Sequence, residues 1–576
     1  MRTAGWRPGR GGAGEAGMAM LMALVVIMVL AIVSAGLANL AVSEYSTATT
    51  VDRSSQAFLA AEAGAELAID LLRGDPDADW SDQATSSVSW TTCCANSPRP
   101  LANTAFPDPD SPICATSPCP VGTFTVAVRR IAGRDPAANI TVRAIGTVRG
   151  ATRTIEFELR RATGADFMMY SILDVDTTAI SGGGSLQFHG SAYIEGNLVL
   201  RGAAQAGFFN DRYVSLADAP RFLNHLYIQR NLDTTTGNPT IGNPYHWVHI
   251  GGSITGRVST NFNPTNLDST VLPPFYPDVV AETQRALTTP GNLLRQSGGT
   301  LQFVRCRWQG SGWIAETPSP PNLVLAGTVA TDTFFLPPPT VDPANPCGGY
   351  PASISQVRAG GQFRLMWDPT DATAQLVFRN DTRPIYVPGG VRIGRDIRYE
   401  GRGTIVVGNQ PSAVAPGQVT AQSGCALDFN LNSLCGTQTG SHPGYSLRAR
   451  ISPCLGSPGT DNPLSTYARV NASHPNSPDV AVFVVNGSAH ANLNANACAQ
   501  EMNLMAIVGA RGSSALFTIV RKLQWYGILM TRGMGLGQVP DFWQMPDMLT
   551  HLPAWTREII LQPGNPVQVL NWRELY

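Results

Sequence analysis

The stretch MAMLMALVVIMVLAIVSAGLANLAV, residues Met18–Val42, decides the organisation of this chain. No charged residue lies between Glu15 and Glu44. A helix rises 1.5 Å per residue, so roughly 26 uncharged residues give about 39 Å, enough to cross a hydrocarbon core of about 30 Å with some tilt. A secretory signal has a shorter apolar region, about 7–15 residues, followed by a cleavage site. The sequence therefore predicts a transmembrane helix over residues 18–43.

The same helix is predicted to continue from the membrane span to Arg73. Residues 44–73 contain no proline, and a single Gly64 costs a helix only about 1 kcal/mol. Apolar side chains recur at helical spacing, which predicts one stripe that packs on another part of the protein. The members of the stripe are Val51, Phe58, Ala61, Ala65, Ala68, Ile69 and Leu72. Gly74-Asp75-Pro76 then ends the helix.

A short leader precedes the apolar stretch. Residues 1–17 contain Arg2, Arg7 and Arg10 and end in Gly17, directly before Met18. A leader of this kind in front of an apolar helix resembles the class III signal of type IV prepilins. The peptide QAFLAAEAGAELA, which begins at Gln56, is similar to the N-terminal region of PilX-type minor pilins.

This resemblance covers residues 14–73 and, more weakly, 120–165. It implies that a prepilin peptidase cuts between Gly17 and Met18 and that the new N-terminus is methylated. It also implies insertion into the inner membrane and later packing of the helix against other pilins and minor pilins. Most pilins carry Glu five residues after the cut, where this chain has Met22, and this departure favours a minor, tip-located subunit. An uncleaved signal anchor of a surface protein is the alternative.

Composition limits the remaining possibilities. The chain has 576 residues and a net charge of −1, and charged residues make up 14%, against about 25% in an average domain. The length predicts two to four domains. A hydrophobic share of 43% is sufficient for real cores. The near-zero charge argues against strong binding of nucleic acid by the whole chain but not against a local basic patch.

Three alternating runs predict an antiparallel sheet that covers the helix stripe. They are Gly122–Ala132, Asn139–Gly150 and Thr152–Thr163. We therefore expect an α+β pilin-like module, with the helix at 18–73 and a disulfide-stapled loop and sheet at 74–165.

Residues 166–576 are predicted to form a mostly-β, β-solenoid-like extracellular domain. Short strands bounded by Gly or Asn recur there, and Pro-rich insertions at 261–302 and 411–478 predict loops. SAYIEGNLVL and WYGILMTRGMGLG resemble coil motifs of large solenoid-bearing minor pilins of the ComZ competence type. A β-sandwich or propeller is the alternative. Near the C-terminus, Glu558–Leu561 and Val567–Leu570 are strand candidates, and the sequence leaves open whether they cap this domain or return to the first sheet.

The cysteines are even in number and none lies in the apolar helix, which predicts disulfides in an oxidising compartment. The ten are Cys93, Cys94, Cys114, Cys119, Cys306, Cys347, Cys425, Cys435, Cys454 and Cys498. Proximity in sequence favours pairing of the first two with the next two, of Cys306 with Cys347, and of the last four among themselves, with Cys425–Cys435 as a short loop. Their spacing fits a zinc site poorly, so no metal is expected.

An arginine-rich run is the candidate binding surface of the second domain. On stacked coils such a run could form a stripe along a phosphate backbone, with tyrosines to stack on bases. The residues are Arg379, Arg383, Arg392, Arg395, Arg398, Arg402, Tyr386 and Tyr399. A second group comprises Arg511, Arg521, Lys522 and Arg532. Ordinary surface charge is the alternative. The aromatic stretch Phe542–Trp555 favours a capping segment over a sugar-binding surface.

We find no motif of a hydrolase or nucleotide-binding enzyme, so the sequence predicts neither catalysis nor a cofactor. The expected function is that of a minor, tip-located pilin of a type IV pilus, in assembly and in surface binding through adhesion or DNA uptake. The possible external partners are DNA or a surface glycan. One alternative is a K-type pseudopilin of type II secretion. The other is a membrane-anchored β-helix protein that binds or cleaves surface polysaccharide, with acidic residues near the arginine run as its candidate catalytic residues.

Overall fold

A computed structural model gives the fold of the protein. It describes residues 13–77, 80–94, 100–107, 122–131, 139–178, 185–189, 191–200, 205–209, 225–235, 240–241, 247–256, 264–266, 275–289, 293–297, 300–304, 306–309, 312–315, 323–326, 362–365, 375–378, 382–387, 390–393, 397–408, 419–429, 447–449, 480–491, 500–520, 523–537, 540–543, 551–562 and 565–575.

The chain forms two compact units. Unit 1 comprises Met1–Ala132, Asn139–Arg160 and Val569–Tyr576, and unit 2 comprises Gly133–Ala138 and Arg161–Gln568. Most of unit 2 is therefore an insertion into the chain of unit 1, placed before the last strand of unit 1.

Unit 1 begins with the predicted long helix. Helix α1 runs without interruption over Ala13–Arg73. Its C-terminal half buries one stripe of mostly small side chains at helical spacing. The buried residues are Ala57, Ala60, Ala61, Gly64, Ala65, Ala68, Ile69 and Leu72. Val51 was expected in this stripe but is 63% exposed, because the sheet buries side chains of the helix only from Ala57 onward.

The stripe packs on an antiparallel sheet of six strands, as the alternating runs predicted. The strands are β1 Thr91–Thr92, β2 Thr104–Phe106, β3 Gly122–Arg130, β4 Asn139–Val148, β5 Ala151–Arg161 and β38 Val567–Leu575. Their order is β1-β3-β4-β5-β38, and β2 pairs with β3. The C-terminal strand thus returns to the first sheet, which answers the question that the sequence left open.

Unit 2 is mostly β, and most of its strand pairs are parallel. Its first strands are β6 Met169–Ser171, β7 Val175–Asp176, β8 Ser185–His189, β9 Ala192–Ile194, β10 Leu198–Val199, β11 Gln205–Phe209, β12 His225–Ile228, β13 Leu232–Thr234, β14 Thr240–Ile241, β15 Trp247–Ile250, β16 Ile254–Gly256 and β17 Pro264–Asn266. A second run follows helix α2, Val279–Thr288, and comprises β18 Leu293–Ser297, β19 Thr300–Val304, β20 Cys306–Gln309, β21 Gly312–Ala315, β22 Leu323–Ala326, β23 Gln362–Leu365 and β24 Gln375–Phe378.

The last run of unit 2 comprises β25 Ile385–Val387, β26 Gly390–Ile393, β27 Ile397–Glu400, β28 Arg402–Gly408, β29 Cys425–Phe429, β30 Leu447–Ala449, β31 Val480–Asn486, β32 Ser488–Ala491, β33 Gln500–Val508, β34 Phe517–Ile519, β35 Leu523–Thr531, β36 Met534–Leu536 and β37 Pro540–Trp543. Helix α3, Ala554–Ile560, follows β37. The predicted strand Glu558–Leu561 is therefore wrong, because a short apolar run does not distinguish a strand from a buried helical turn.

The longest sheet of unit 2 has a spine in the order β17-β15-β12-β9-β6-β35-β33-β31-β28-β25-β18-β19. Side chains in register along it form continuous buried columns. One column is Ile385, Ile405, Phe483, Ala506, Leu529, Met169, Ala192, Leu226 and Val248. The early strands and the late strands therefore share one core.

In this order β6, the first strand of unit 2, lies in the middle of the stack. Strands β6 to β17 form one arm and strands β25 to β35 form the other. The arms meet where Leu529–Thr531 of β35 pairs with Met169–Ser171 of β6. We call this pairing the seam. It closes a core from segments that lie at opposite ends of unit 2 in sequence.

Helix α2 lies on the second arm. The Asp278 carboxylate caps it by accepting hydrogen bonds from Val280 N and Ala281 N, at 3.1 and 3.0 Å. Just before it, the Tyr276 hydroxyl donates to the carbonyls of Val508 and Gly509, both at 2.8 Å. Together these contacts fix α2 over strands of the second arm.

Candidate functional site

The apolar half of α1 is the first candidate site, because the structure leaves it uncovered. Its large side chains are half to almost three-quarters exposed, from Met18 at 67% to Val42 at 68%. Within the described residues, this helix is long and apolar enough to cross a membrane, and none of its apolar window is buried in the protein. So large an apolar surface requires a lipid or protein partner.

The other half of α1 is held against the sheet at very short range. A Cβ added to Gly146 of β4 would lie 2.0 Å from the Ala57 carbonyl oxygen and 2.5 Å from the Ala61 nitrogen. A Cβ added to Gly64 would lie 2.7 Å from the Phe124 ring. At Gly146 the sheet backbone therefore lies directly against the helix backbone, and the same uninterrupted helix carries the apolar half. The apolar stripe of the helix gives no indication of Gly146, although an isolated glycine inside a strand pattern signals such a close approach.

The predicted cleavage residues lie within this helix. α1 begins at Ala13, so Gly17 and Met18 are helical, and Met18 is exposed. The site is accessible at the surface of the helix.

The described cysteines differ from the predicted pairing. Cys93 and Cys94 are bonded to each other, as adjacent residues, and both are buried. The predicted pairing of these two with Cys114 and Cys119 is therefore wrong, because spacing along the chain does not show which sulfur atoms the fold brings together. Cys425 is disulfide-bonded. The remaining predicted pairings stay predictions. Of Cys306 only the backbone is described, and the following cysteines lie outside the described residues: Cys114, Cys119, Cys347, Cys435, Cys454 and Cys498.

The arginine run does not form the predicted stripe. Arg392 lies on β26, which pairs with β23 and β29. Arg398 lies on β27, which belongs to a different sheet and pairs with β24 and β30. Arg402 lies on β28, in the longest sheet. Successive strands of the chain enter different sheets, so neighbours in sequence do not stack. Arg383 lies half-buried before β25, and Arg379 and Arg395 lie outside the described residues.

The aromatic members of the run are part of the core. Tyr386 is 1% exposed and Tyr399 is fully buried. Neither ring can stack on a base, which overturns their predicted role. Trp555, on α3, is also buried, and the Arg285 guanidinium lies 3.5 Å from its ring centroid. A sugar-binding surface would have required this ring to be exposed.

A polar cluster that the sequence did not reveal lies at the seam. The Arg511 guanidinium contacts both Glu195 carboxylate oxygens, at 2.7 and 3.1 Å, and the Tyr170 hydroxyl donates to the same carboxylate. Burial, with the nearby Glu195 charge, raises the pKa of Tyr170, so its hydroxyl stays a donor. Arg511, a member of the second predicted basic group, is therefore paired within the protein with Glu195. Its partner is 316 positions away, and no local pattern points to it.

Metal ligands do not cluster in the described part of the chain, where no group of three or more His, Cys, Asp or Glu is placed to hold an ion.

Comparison with known proteins finds similarity only among solved structures. No family model matches the chain. No curated protein matches it either. Among solved structures, the crystal structure of the competence-associated pilin ComZ from Thermus thermophilus is similar, at 14% sequence identity and a TM-score of 0.37. The match covers 91% of this chain and 97% of that chain.

Proposed function

We propose that this protein is a minor, tip-located subunit of a type IV pilus. One observation carries the proposal: α1 is a single helix of 61 residues, with its apolar half exposed and its other half packed backbone-to-backbone on an antiparallel sheet. A membrane anchor alone needs about 20 residues and no rigid link to a folded unit. A subunit that leaves the lipid for a filament needs both, because its helix must bring the folded unit with it.

The proposed life of the subunit follows from the leader and the helix. The precursor inserts in the inner membrane by residues 18–43, and a prepilin peptidase cuts between Gly17 and Met18. The exposed apolar face then exchanges lipid for the helices of other pilins. Met22 offers no carboxylate to a neighbouring subunit, which suits a position at the tip.

We further propose that unit 2 is a β-solenoid carried outside the cell, where it binds without catalysis. The continuous in-register columns of its longest sheet support the solenoid. Its target is an external surface and not DNA, since Tyr386 and Tyr399 are buried and the described arginines of the run are divided among separate sheets.

The test uses the full chain, tagged at its C-terminus, in its own cells. Intact-mass analysis should find a mature protein that begins at Met18, and immunogold labelling should find it on sheared fibres. Leu30→Arg places a charge at the centre of the apolar helix, at a cost of about 2.5–3.5 kcal/mol to insertion, and should remove the protein from membranes and fibres.

The matched control is Leu67→Arg, which lies on the same helix beyond the predicted span and is 39% exposed. It should leave both membrane and fibre fractions unchanged. A protein that keeps residues 1–17 and never appears on fibres would be a permanent surface anchor. Labelling that persists without the pilus motor but is lost without the type II secretion motor would identify a secretion pseudopilin.

A further inference from the structure

Unit 1 contains a cleft of about 660 Å³ on its antiparallel sheet. The volume is within the range of about 300–1,000 Å³ that ligand sites occupy. The cleft crosses four neighbouring strands, β3, β4, β5 and β38. Its lining includes Ser87, Arg129, Thr141, Glu156, Trp572 and Arg573.

One guanidinium in the cleft is held in place without being neutralised. The Arg129 Cζ lies 4.5 Å from the centroid of the Trp90 ring, and the Arg143 Cζ lies 4.0 Å from the same centroid. Arg143 is paired with Glu156 at 2.8 Å, and Arg573 contacts the other oxygen of that carboxylate. Arg129, by contrast, has no carboxylate partner within the described part of the chain. It is therefore oriented by an aromatic ring and free to bind an anion.

The charge of the whole cleft has the same sign. Arg129, Arg130 and Arg573 line it together with Glu156 and Glu158, and Glu156 is also paired with Arg143. Glu156 is 4% exposed and already bound by two arginines. The excess positive charge favours a ligand with carboxylates.

The border of the cleft is a free sheet edge. β38 is the last strand in the order of its sheet, and no described strand pairs with its other side. It exposes Val569 and Trp572, each by 41%, and Trp572 stacks on Phe157 with ring centroids 4.9 Å apart. Edge strands present unpaired N–H and C=O groups, which bind extended peptides.

We propose that the cleft and the free edge of β38 together bind an extended acidic segment of a partner protein. One end of the segment pairs its backbone with the free edge of β38 and covers Val569 and Trp572, and the residues that follow cross β38, β5 and β4 to place one carboxylate on Arg129. This site does not depend on filament assembly, so it is independent of the function proposed above.

The experiment uses the full chain in lipid nanodiscs and a fluorescent eight-residue peptide of alternating Val and Asp. Fluorescence anisotropy should show binding that weakens with salt. The same peptide with Lys in place of Asp should not bind. N-methylation of alternate backbone nitrogens should weaken binding by about tenfold or more, because it removes the groups that pair with β38.

Arg129→Glu should weaken binding of the Val/Asp peptide by about tenfold or more. Arg149→Glu is the matched control, because Arg149 is an exposed arginine in the turn after β4, at the other end of that strand. It should change binding less than about twofold. Arg129→Gln, a milder change, decides the matter if Arg129→Glu does not fold by circular dichroism.

The proposal fails if Arg129→Gln binds the peptide as the native protein does, or if the N-methylated peptide binds equally well. It also fails if polygalacturonate binds in an Arg129-dependent manner and the peptide does not, which would make the cleft a site for acidic polysaccharide.

Discussion

Units 1 and 2 differ in the internal contacts that stabilise each of them. In unit 1 a single helix packs a stripe of mostly small side chains on one sheet, and at Gly146 the two backbones are so close that an added Cβ would lie 2.0 Å from the Ala57 carbonyl oxygen. In unit 2 the same kind of contact recurs from strand to strand: in-register apolar columns, and a ladder in which Asn197 and Asn231 repeat one hydrogen-bonding pattern. Unit 1 concentrates its stability, whereas unit 2 distributes it along the stack.

This difference fits the proposed roles. A helix that must transmit movement to a folded unit needs a rigid, close contact, and small residues provide it. A broad surface needs a long domain, and a stack of repeated strand layers provides one because each layer contacts only its neighbours. The seam differs from the other strand pairings along the spine of unit 2 because it joins segments from opposite ends of the unit in sequence, Leu529–Thr531 and Met169–Ser171. The comparison predicts large effects at Gly146, intermediate effects at the seam and small effects on the ladder.

The largest effect is expected for Gly146→Val. The new side chain has no room beside the Ala57 carbonyl and the Ala61 nitrogen, and backbone cannot move aside easily. Unit 1 should lose about 3 kcal/mol or more of its free energy of unfolding. Hydrogen exchange of β3 and β4 amides, in the full chain in detergent, measures this. Gly36→Val is the control, because nothing lies within 4 Å of its added Cβ. Native protection of β4 in Gly146→Val would refute the concentrated view of unit 1.

Glu195→Gln tests the seam. The substitution keeps the shape of the side chain but leaves Arg511 without its charge partner. The pair is partly exposed, with Glu195 14% and Arg511 49% accessible, so we expect a loss of about 1–2 kcal/mol. Exchange should rise first in β6 and β35. Glu558→Gln removes a more exposed ion pair, that with Arg285, and should cost less than about 0.5 kcal/mol. Equal effects of the two variants would mean that the seam is not a weak point.

Asn231→Ala should have a smaller effect, because it removes one rung of the ladder. Asn231 Oδ1 accepts from Ser253 N at 2.9 Å, and its amide donates to Asn197 Oδ1 at 3.1 Å. We expect about 1 kcal/mol, from urea unfolding of unit 2, with exchange changed only near β13 and β16. Asn231→Asp retains the acceptor for Ser253 and should lie between native and Asn231→Ala. A loss that spreads through the whole stack would contradict distributed stability.

The smallest effect concerns pH, and the two units should differ in its sign. Burial acts to raise the pKa of Glu156, but the hydrogen bonds from Arg573 and Arg143 outweigh it and lower the pKa below 4.5. Glu156 therefore stabilises unit 1 above pH 4.5, and this contribution is lost as the pH falls through the folded-state pKa. Burial raises the pKa of Glu282 in unit 2 above 4.5, so its contribution increases as the pH falls toward 4.5.

Urea unfolding followed by exchange at pH 7, 5 and 4 measures both contributions. Glu156→Gln should flatten the acid loss of unit 1, and Glu282→Gln should flatten the opposite change in unit 2. A Glu156→Gln variant with the same acid profile as the native protein would remove the paired carboxylate as its cause.

The sequence was most informative where one composition persists over many residues. The helix is visible as an uninterrupted apolar run followed by a proline-free amphipathic segment, and the sheet as three alternating runs. Val51 was misplaced because apolar spacing along a helix does not show where the covering sheet ends, and side chains are buried only from Ala57 onward. Glu558–Leu561 was misassigned because four residues show no reliable period.

The candidate sites were harder to predict, because each depends on pairing between distant segments. Arg392 and Arg398 are six positions apart in the chain but lie in different sheets. Tyr386 looked like a stacking residue and is a core residue. Cys93 pairs with its immediate neighbour. The Arg129 site needs Trp90, β5 and the C-terminal strand together, and no spacing in the sequence links them.

The sequence by itself determined that this protein has an apolar rod joined to an α+β module and followed by a long β-rich region. These features follow from local propensity and periodicity, which act within a few turns or strands. Only the tertiary structure decided that the last strand returns to the first sheet and that the two arms meet at Met169 and Leu529. It also decided that Arg129 is oriented by Trp90 with no carboxylate partner among the described residues. Those outcomes depend on which distant surfaces bury each other, and a pattern read along the chain contains no record of that choice.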